Sequence, residues 1–260
     1  MQRMAKYIGV DWASKGWFGV ILDDDGTFET DFFPSIWSLW KNHSDATRVF
    51  IDIPIGLPTD DRRQCDVEAK AKLGAQQSRV FYTPIRDAVY EQNLDAAKAL
   101  NEAAGFSIQN QAWGIVPRIR EVDEFLDMNP TARDRLFETH PELCFYSLNG
   151  HEPVEPSKKT GAGIERRKSL LEDEYANART IYEESVDQYM TPKYASFLSA
   201  ADDILDALVA AVTAMRDENR IARLPERRRP PRDARGLPMQ LRYPNDVNQT
   251  RLTALETTDD

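Results

Sequence analysis

The chain has 260 residues, 41% of them hydrophobic and 10% aromatic, and its formal net charge is −10. This composition excludes a disordered protein, and the net charge argues against broad, non-specific attraction to nucleic acid. No apolar run approaches the ~18 residues of a membrane-spanning helix, and no signal peptide is evident, so we expect a cytoplasmic protein. We expect the two cysteines, Cys65 and Cys144, to be buried free thiols.

The first 58 residues predict a sheet with one crossover helix. Alternating and continuous apolar runs favour strands, and the spacing of Ile36, Leu39 and Trp40 favours a short amphipathic helix. The predicted strands are residues 6–12, 16–22, 27–33 and 48–56, and the helix is residues 35–43. The order is therefore strand, strand, strand, helix, strand.

The next segment, residues 59–132, reads as mostly helical and is expected to form an insertion or cap over the sheet. Gly74 and Gly105 close its first two helices, and Pro117 bends or breaks the third. Residues 133–150 return to the core with a strand at 135–139 and a helix at 141–150.

The remainder of the chain predicts two long helices and a late strand. An apolar stripe predicts one helix over residues 163–188, and a second helix spans residues 199–218. Residues 240–244 are typical of a strand, and residues 246–260 of a flexible tail. We therefore expect a single α/β domain over residues 1–245, with its core in residues 5–58, 133–150 and 199–244.

Two of the predicted strands carry an aspartate near their ends. Asp11 lies in GVDW and Asp52 in FIDIP. Ligands of open α/β sheets bind outside the carboxyl ends of the strands, so both carboxylates are candidates for a site. The structural alternative is that each accepts hydrogen bonds from turn amides.

The helix near residue 199 carries two further acids. At about 100° per residue, Asp203 shares a face with small residues and Asp206 lies at its edge. The face consists of Ala200, Asp203, Ala207, Ala210 and Ala214. Such a face lets a helix approach a sheet closely, although acids in a first helical turn are also favoured by the helix dipole alone.

Several carboxylates in one cleft repel one another unless a divalent cation lies between them. Hard oxygen ligands suit Mg²⁺ or Mn²⁺, and such ions can activate water and stabilise the leaving oxygen of a phosphodiester. The sequence therefore predicts a metal site formed by Asp11, Asp52 and Asp206, with Asp203 as a further catalytic candidate.

The segments GVDWASKGWFGVIL, IDIP and DILDALVAAVTA together resemble the ribonuclease H-like superfamily, and the DxxDA ending is similar to that of RuvC-type resolvases. The segments IDIPIGLP, SRVFYTP, ETHPELCF, KKTGAGIERR and GLPM resemble domain-of-unknown-function family 429, described as predicted ribonuclease H-like nucleases. The resemblance covers most of residues 7–244. It implies a mixed βββαβ sheet with helices on both faces and metal-dependent phosphodiester hydrolysis, with the acids on Asp11, Asp52, Asp203 and Asp206.

Further polar residues are candidates for roles in the same site. Glu138 and His140 project from one face of an extended segment, where the histidine could orient a water or shuttle a proton. The structural alternative is a hydrogen-bonded pair. The cationic candidates for binding substrate phosphates are Arg79, Lys158, Lys159 and Arg166.

These observations favour a nuclease acting on RNA or DNA with Mg²⁺ or Mn²⁺, and a homodimer is compatible with it. Two alternatives remain open at this point. One is an actin- or sugar-kinase-like phosphotransferase or ATPase, which ATP binding would reveal. The other is a non-catalytic nucleic-acid-binding protein that keeps the fold. The basic segments 158–168 and 216–236 could contact phosphates or form solvated surface.

Overall fold

The structure is a computed structural model that describes residues 5–194 and 201–245. Its centre is a mixed five-stranded sheet with the order β3-β2-β1-β4-β5. The strands are β1 (Lys6–Ala13), β2 (Gly16–Asp23), β3 (Phe28–Phe33), β4 (Arg48–Ile51) and β5 (Leu136–Glu138). The first three strands form an antiparallel meander. Strand β4 pairs with β1, and β5 pairs with β4, in both cases in parallel. This confirms the expected α/β class and is consistent with a ribonuclease H-like fold.

Helices cover both faces of the sheet. They are α1 (Ile36–His43), α2 (Gln64–Leu73), α3 (Arg86–Tyr90), α4 (Leu94–Ala103), α5 (Asn110–Met128), α6 (Pro141–Leu148), α7 (Gly161–Glu174), α8 (Ala178–Tyr189) and α9 (Asp202–Met215). One face packs on α1 and α5, and the other on α2 and α6 to α9. Helices α3 and α4 belong to a small separate cluster. Both cysteines are buried free thiols, as predicted.

A short antiparallel pair, β6 (Ile221–Leu224) and β7 (Leu241–Pro244), extends the main sheet at the β5 edge. A parallel bridge between Thr139 and Arg242 joins it to the chain that follows β5. The strand β7 corresponds to the predicted strand at 240–244, whereas β6 was not predicted.

Helix α9 lies directly on β1 because Gly9 has no side chain. A Cβ atom at Gly9 would lie 2.0 Å from the main-chain oxygen of Ala207 and 2.1 Å from the nitrogen of Ala211. The buried alanines of α9 complete this contact, as the small-residue face of the sequence predicted. Ala200 of that predicted face lies outside the described residues. The close approach fixes the start of α9 beside the carboxyl ends of β1 and β4.

Two sequence predictions of element boundaries were wrong, and of the two alternatives at Pro117, a bend or a break, the structure excludes the break. The predicted strand 48–56 ends at Ile51, since Pro54 has no N–H for a ladder and Gly56 has a positive φ of 79°. The helix expected over 163–188 is two helices, because Tyr175 takes an extended conformation (φ −144°, ψ 106°). Helix α5 is continuous through Pro117 rather than broken there. The tail expected at 246–260 lies outside the described residues.

Within the described ranges, no helix is both long and apolar enough to cross a membrane.

Candidate functional site

A cleft of about 600 Å³ opens at the carboxyl ends of β1 and β4. The parallel register pairs Val10 of β1 with Ile51 of β4. The residues that follow them along the chain, Asp11 and Asp52, therefore lie side by side. The main-chain N–H of Asp52 donates to the oxygen of Val10 at 2.9 Å, which holds the two chains together at this point. Residues 59–85 and 138–142 form the other walls.

Helix α9 brings a third carboxylate into the cleft. Asp206 is 3% exposed, and its Oδ1 is buried with no hydrogen-bond partner in the part of the chain described. Asp203, one turn earlier, is half-buried and does not line the cleft. Its charge nevertheless raises the pKa of Asp11, so all four predicted acids interact electrostatically.

The carboxylates of the cleft have too few positively charged neighbours to balance their negative charge. Burial, followed by repulsion from Asp52, Asp206 and Asp203, raises the pKa of Asp11 well above its usual range. Burial raises the pKa of Asp52 to about 7, the pKa of Asp203 to about 7 and the pKa of Asp206 to about 6. Among the described residues, neither Asp11 nor Asp52 has a side-chain hydrogen bond or ion pair that would offset this.

One protein cation enters this group of acids. The ammonium of Lys158 donates to Asp206 Oδ2 and lies 3.4 Å from Asp202 Oδ2. Burial by itself would lower the pKa of Lys158, but Asp206 and Asp11 raise it above its ordinary value, so the side chain stays charged. Lys159 also lines the cleft, is exposed, and forms no ion pair with any described residue.

Hard oxygen donors are what Mg²⁺ or Mn²⁺ requires, and Asp206, whose Oδ1 has no hydrogen-bond partner among the described residues, lines the same cleft as Asp11 and Asp52. Over residues 5–194 and 201–245, however, no three His, Cys, Asp or Glu side chains are arranged to hold a metal ion. The donor set thus fits such an ion in chemistry and charge, while Lys158 supplies the positive charge in the present arrangement.

Glu138 lines the cleft but is committed to a buried ion pair. Both of its oxygens accept hydrogen bonds at 2.7 Å from Arg63, and Oε2 also accepts from the Ile55 N–H. Arg63 in turn pairs with Asp66 at 2.5 Å. These bonds join β5 to α2, so the local geometry favours the structural alternative for Glu138 over an extension of the acidic cluster.

His140 lies in the cleft wall immediately before α6. Its Nδ1 is buried with no hydrogen-bond partner in the described chain, and burial lowers its pKa, so the ring is neutral at pH 7. Glu142, the second residue of α6, accepts from Arg167 at 3.0 and 3.1 Å and from Arg79 at 2.6 Å. The Arg79 side chain keeps 24% of its surface exposed and still borders the cleft.

Arg166 does not belong to this cleft. It donates to Asn149 Oδ1 at 2.7 Å and borders a separate surface pocket. The neighbouring Arg167 is fully buried and holds Glu142. Sequence reasoning missed Arg167, and the available signal was its spacing of four residues from both Gly163 and Leu171 on the buried face of α7. It also missed Arg63, which has no comparable signal.

A family profile described as "Protein of unknown function (DUF429)" matches residues 9–229. Comparison with curated proteins and with solved structures gives no match. The matched range contains most of β1, all of β2 to β6, and every residue of the cleft except Leu241. The chain belongs to the DUF429 family.

Proposed function

We propose that the chain is a metal-dependent phosphodiester hydrolase that acts on RNA or DNA. The observation that supports it best is the meeting of Asp11, Asp52 and Asp206 at the carboxyl edge of the sheet without enough positive charge to balance them. Such an arrangement is unfavourable without a cation and is typical of a site that takes one up.

In this proposal Asp11, Asp52 and Asp206 hold Mg²⁺ or Mn²⁺, with Asp203 supporting them from the first turn of α9. The ion supplies an activated water and charge stabilisation at the leaving oxygen. Lys158 must release Asp206 for the carboxylates to converge. The released ammonium, on its flexible side chain, would then be available to bind the substrate's phosphate.

The walls of the cleft supply the remaining roles. Lys159, exposed at the rim, and Arg79, partly exposed beside it, bind non-reacting phosphates. The neutral ring of His140 keeps a nitrogen free to accept a proton from an incoming water or to orient it. Glu138 and Glu142 hold Arg63, Arg79 and Arg167 in place rather than acting on the substrate.

The test is cleavage of a nucleic-acid panel by wild type and Asp52→Asn with Mn²⁺ or Mg²⁺. The panel contains single-stranded RNA, an RNA–DNA hybrid, single-stranded DNA, duplex DNA and a four-way junction. The matched control is Asp187→Asn, which makes the same chemical change at an exposed position of α8. We expect wild type and the control to cleave at least one substrate, and Asp52→Asn to lose at least about 100-fold in rate.

Equal cleavage by all three proteins would point to a contaminant. Absence of cleavage together with Mn²⁺ binding that is the same for wild type and Asp52→Asn in calorimetry would refute the proposal. ATP binding would instead favour the phosphotransferase alternative, and oligonucleotide binding without metal binding would favour the non-catalytic one.

A further inference from the structure

A second concave surface lies on the other side of β5 and β7 from the acidic cleft. It is a groove of about 800 Å³ between β5, β6, β7 and residues 227–240. Six arginines line it, and the only carboxylate among its described lining residues is Asp134. The arginines are Arg133, Arg223, Arg227, Arg228, Arg232 and Arg242. We refer to this surface as the arginine groove.

Within the described ranges, two carboxylates, Asp127 and Glu218, form ion pairs with these six arginines. Arg227 and Arg228 are exposed, and neither forms an ion pair with any residue of the described ranges. Among the residues that the structure describes, the side chain of Arg232 donates to the main-chain oxygen of Gly236 and pairs with no carboxylate. Arg223 and Arg242 share a single carboxylate, Glu218, which also pairs with Arg48 at 2.9 Å. Three guanidinium groups thus depend on one acid.

Arg242, the most deeply buried of these side chains, shows the effect of this shortage of negative charge. Burial, together with the charges of Arg223 and Arg48, lowers the pKa of Arg242 to about 10 in spite of Glu218. The guanidinium carbon of Arg242 lies 3.5 Å from the ring centroid of Phe137, a contact that fixes the plane of the group. An oriented and under-neutralised guanidinium at the base of a groove is suited to an anion with paired oxygens.

We propose that the arginine groove binds the phosphate backbone of a nucleic-acid strand, at a site separate from the acidic cleft. The surface is concave, with arginines on several walls, so it suits a chain of phosphates better than a flat membrane surface. This inference rests on the proposed function, because it assigns the groove to the polymer whose phosphodiester bond enters the cleft.

The position of the groove limits the substrate. In β5, Phe137 lines the groove and its neighbour Glu138 lines the cleft. In β7, Arg242 lines the groove and its neighbour Leu241 lines the cleft. The two sites are therefore separated by the thickness of these strands. A bound strand reaches both only by passing around their edge, so the substrate is a polymer of several nucleotides rather than a dinucleotide.

The experiment measures binding of a fluorescently labelled single-stranded oligonucleotide of about 20 nucleotides by anisotropy, in EDTA so that no cleavage occurs. The test variant is Arg227→Ala with Arg228→Ala. The matched control is Lys41→Ala with Lys193→Ala, which removes two exposed cations from other parts of the surface. Both variants are checked for an unchanged melting temperature.

We expect the arginine variant to bind about tenfold more weakly and the salt dependence of log K to lose about 0.7 for each phosphate contact removed, or about 1.4 in total. The lysine variant should stay within about twofold of wild type. Equal weakening by both variants, or no weakening by either, would overturn the proposal. Binding to vesicles rich in phosphatidylserine without binding to the oligonucleotide would overturn it as well.

Two readouts separate this proposal from the nuclease proposal. The arginine variant should bind Mn²⁺ in calorimetry as wild type does, since it leaves the cleft unchanged. Asp52→Asn should bind the oligonucleotide in EDTA at least as tightly as wild type. If the groove proposal fails, the measurement of Mn²⁺ binding still tests the metal site. If the metal site fails, oligonucleotide binding in EDTA still tests the groove.

Discussion

The ammonium group of Lys158 donates to Asp206, the same carboxylate that we propose as a metal ligand. It is the only lysine or arginine side chain that pairs with the acids of α9 in the described part of the chain. A divalent cation and Lys158 therefore compete for one carboxylate. The lysine lowers the cost of keeping the acids together, and under the proposed function a bound metal ion would have to displace it.

Replacement of Lys158 by alanine should raise the affinity for Mn²⁺ by about tenfold, which corresponds to about 1.4 kcal/mol. The reason is that the variant leaves the acidic group with one negative charge more and removes the competing cation. Isothermal titration calorimetry of the protein without nucleic acid measures the effect. Lys159→Ala, which removes an exposed cation from the rim, should change the affinity by less than about twofold. Unchanged or weaker binding by Lys158→Ala would show that the two cations do not compete.

Among the secondary-structure elements, α9 and β1 define the cleft because they are in direct main-chain contact at Gly9. Helix α9 carries Asp206, and β1 carries Asp11. Any group inserted between the two elements would move one carboxylate away from the other. Gly9 thus affects the site indirectly, because it sets the distance between α9 and β1 and with it the position of Asp206 relative to Asp11.

Gly9→Ala should destabilise the protein by about 3 kcal/mol or more, because the new methyl group would meet main-chain atoms that cannot rotate away. Urea unfolding gives the free energy. The control is Gly114→Ala in α5, where an added Cβ has no neighbour within 4 Å. That change should be neutral or stabilise by up to about 1 kcal/mol, since alanine favours a helix interior. Equal stability of Gly9→Ala and wild type would mean that α9 can shift without loss.

Most elements were predictable because they have a strong apolar period or a clear terminating residue. Strands β1 to β3, helix α1 and the glycine-terminated helices α2 and α4 are examples. The break between α7 and α8 was not predictable, because the apolar stripe continues across Tyr175 although the backbone does not. Strand β6 was not predicted, because its four residues lie within a basic segment that shows no strand pattern of its own.

The sequence predicted those residues of the site whose position follows from a strand end or a helix face. Asp11, Asp52 and Asp206 follow from such positions, and the structure brings them to one cleft. The roles of the basic residues did not follow. Arg63 and Arg167 are buried by tertiary ion pairs. Nothing local distinguishes Arg63 from its exposed neighbour Arg62, and only the helical spacing of Arg167 from Gly163 and Leu171 distinguishes it from the exposed Arg166.

For the molecule as a whole, the cleft makes stability depend on pH. The pKa of Asp52 rises from 3.8 in the unfolded chain to about 7 in the folded protein. The folded state therefore binds the proton more tightly, and this stabilising contribution is complete below the unfolded pKa. It is lost as the pH rises through the folded pKa, so in the absence of metal the group destabilises the protein most above pH 7.

Asp52→Asn should remove the part of this dependence that comes from Asp52. We expect the stability of the variant relative to wild type to rise by about 3 kcal/mol between pH 4.5 and pH 7.5, measured by urea unfolding in EDTA. Asp187→Asn should follow wild type across the range, since its carboxylate is exposed on α8. Parallel pH profiles for Asp52→Asn and wild type would show that Asp52 is not held in an unfavourable environment.

The contact between Gly9 and α9 also has a consequence during synthesis on the ribosome. Strand β1 emerges first, whereas the helix that covers it begins at Asp202. About 190 residues separate the two, and at about 5–20 residues per second their translation takes about 10–40 s. The apolar sheet face around Gly9 stays uncovered for this period. The cleft, which needs Asp206 of α9 beside Asp11 of β1, therefore forms only after α9 has left the ribosome.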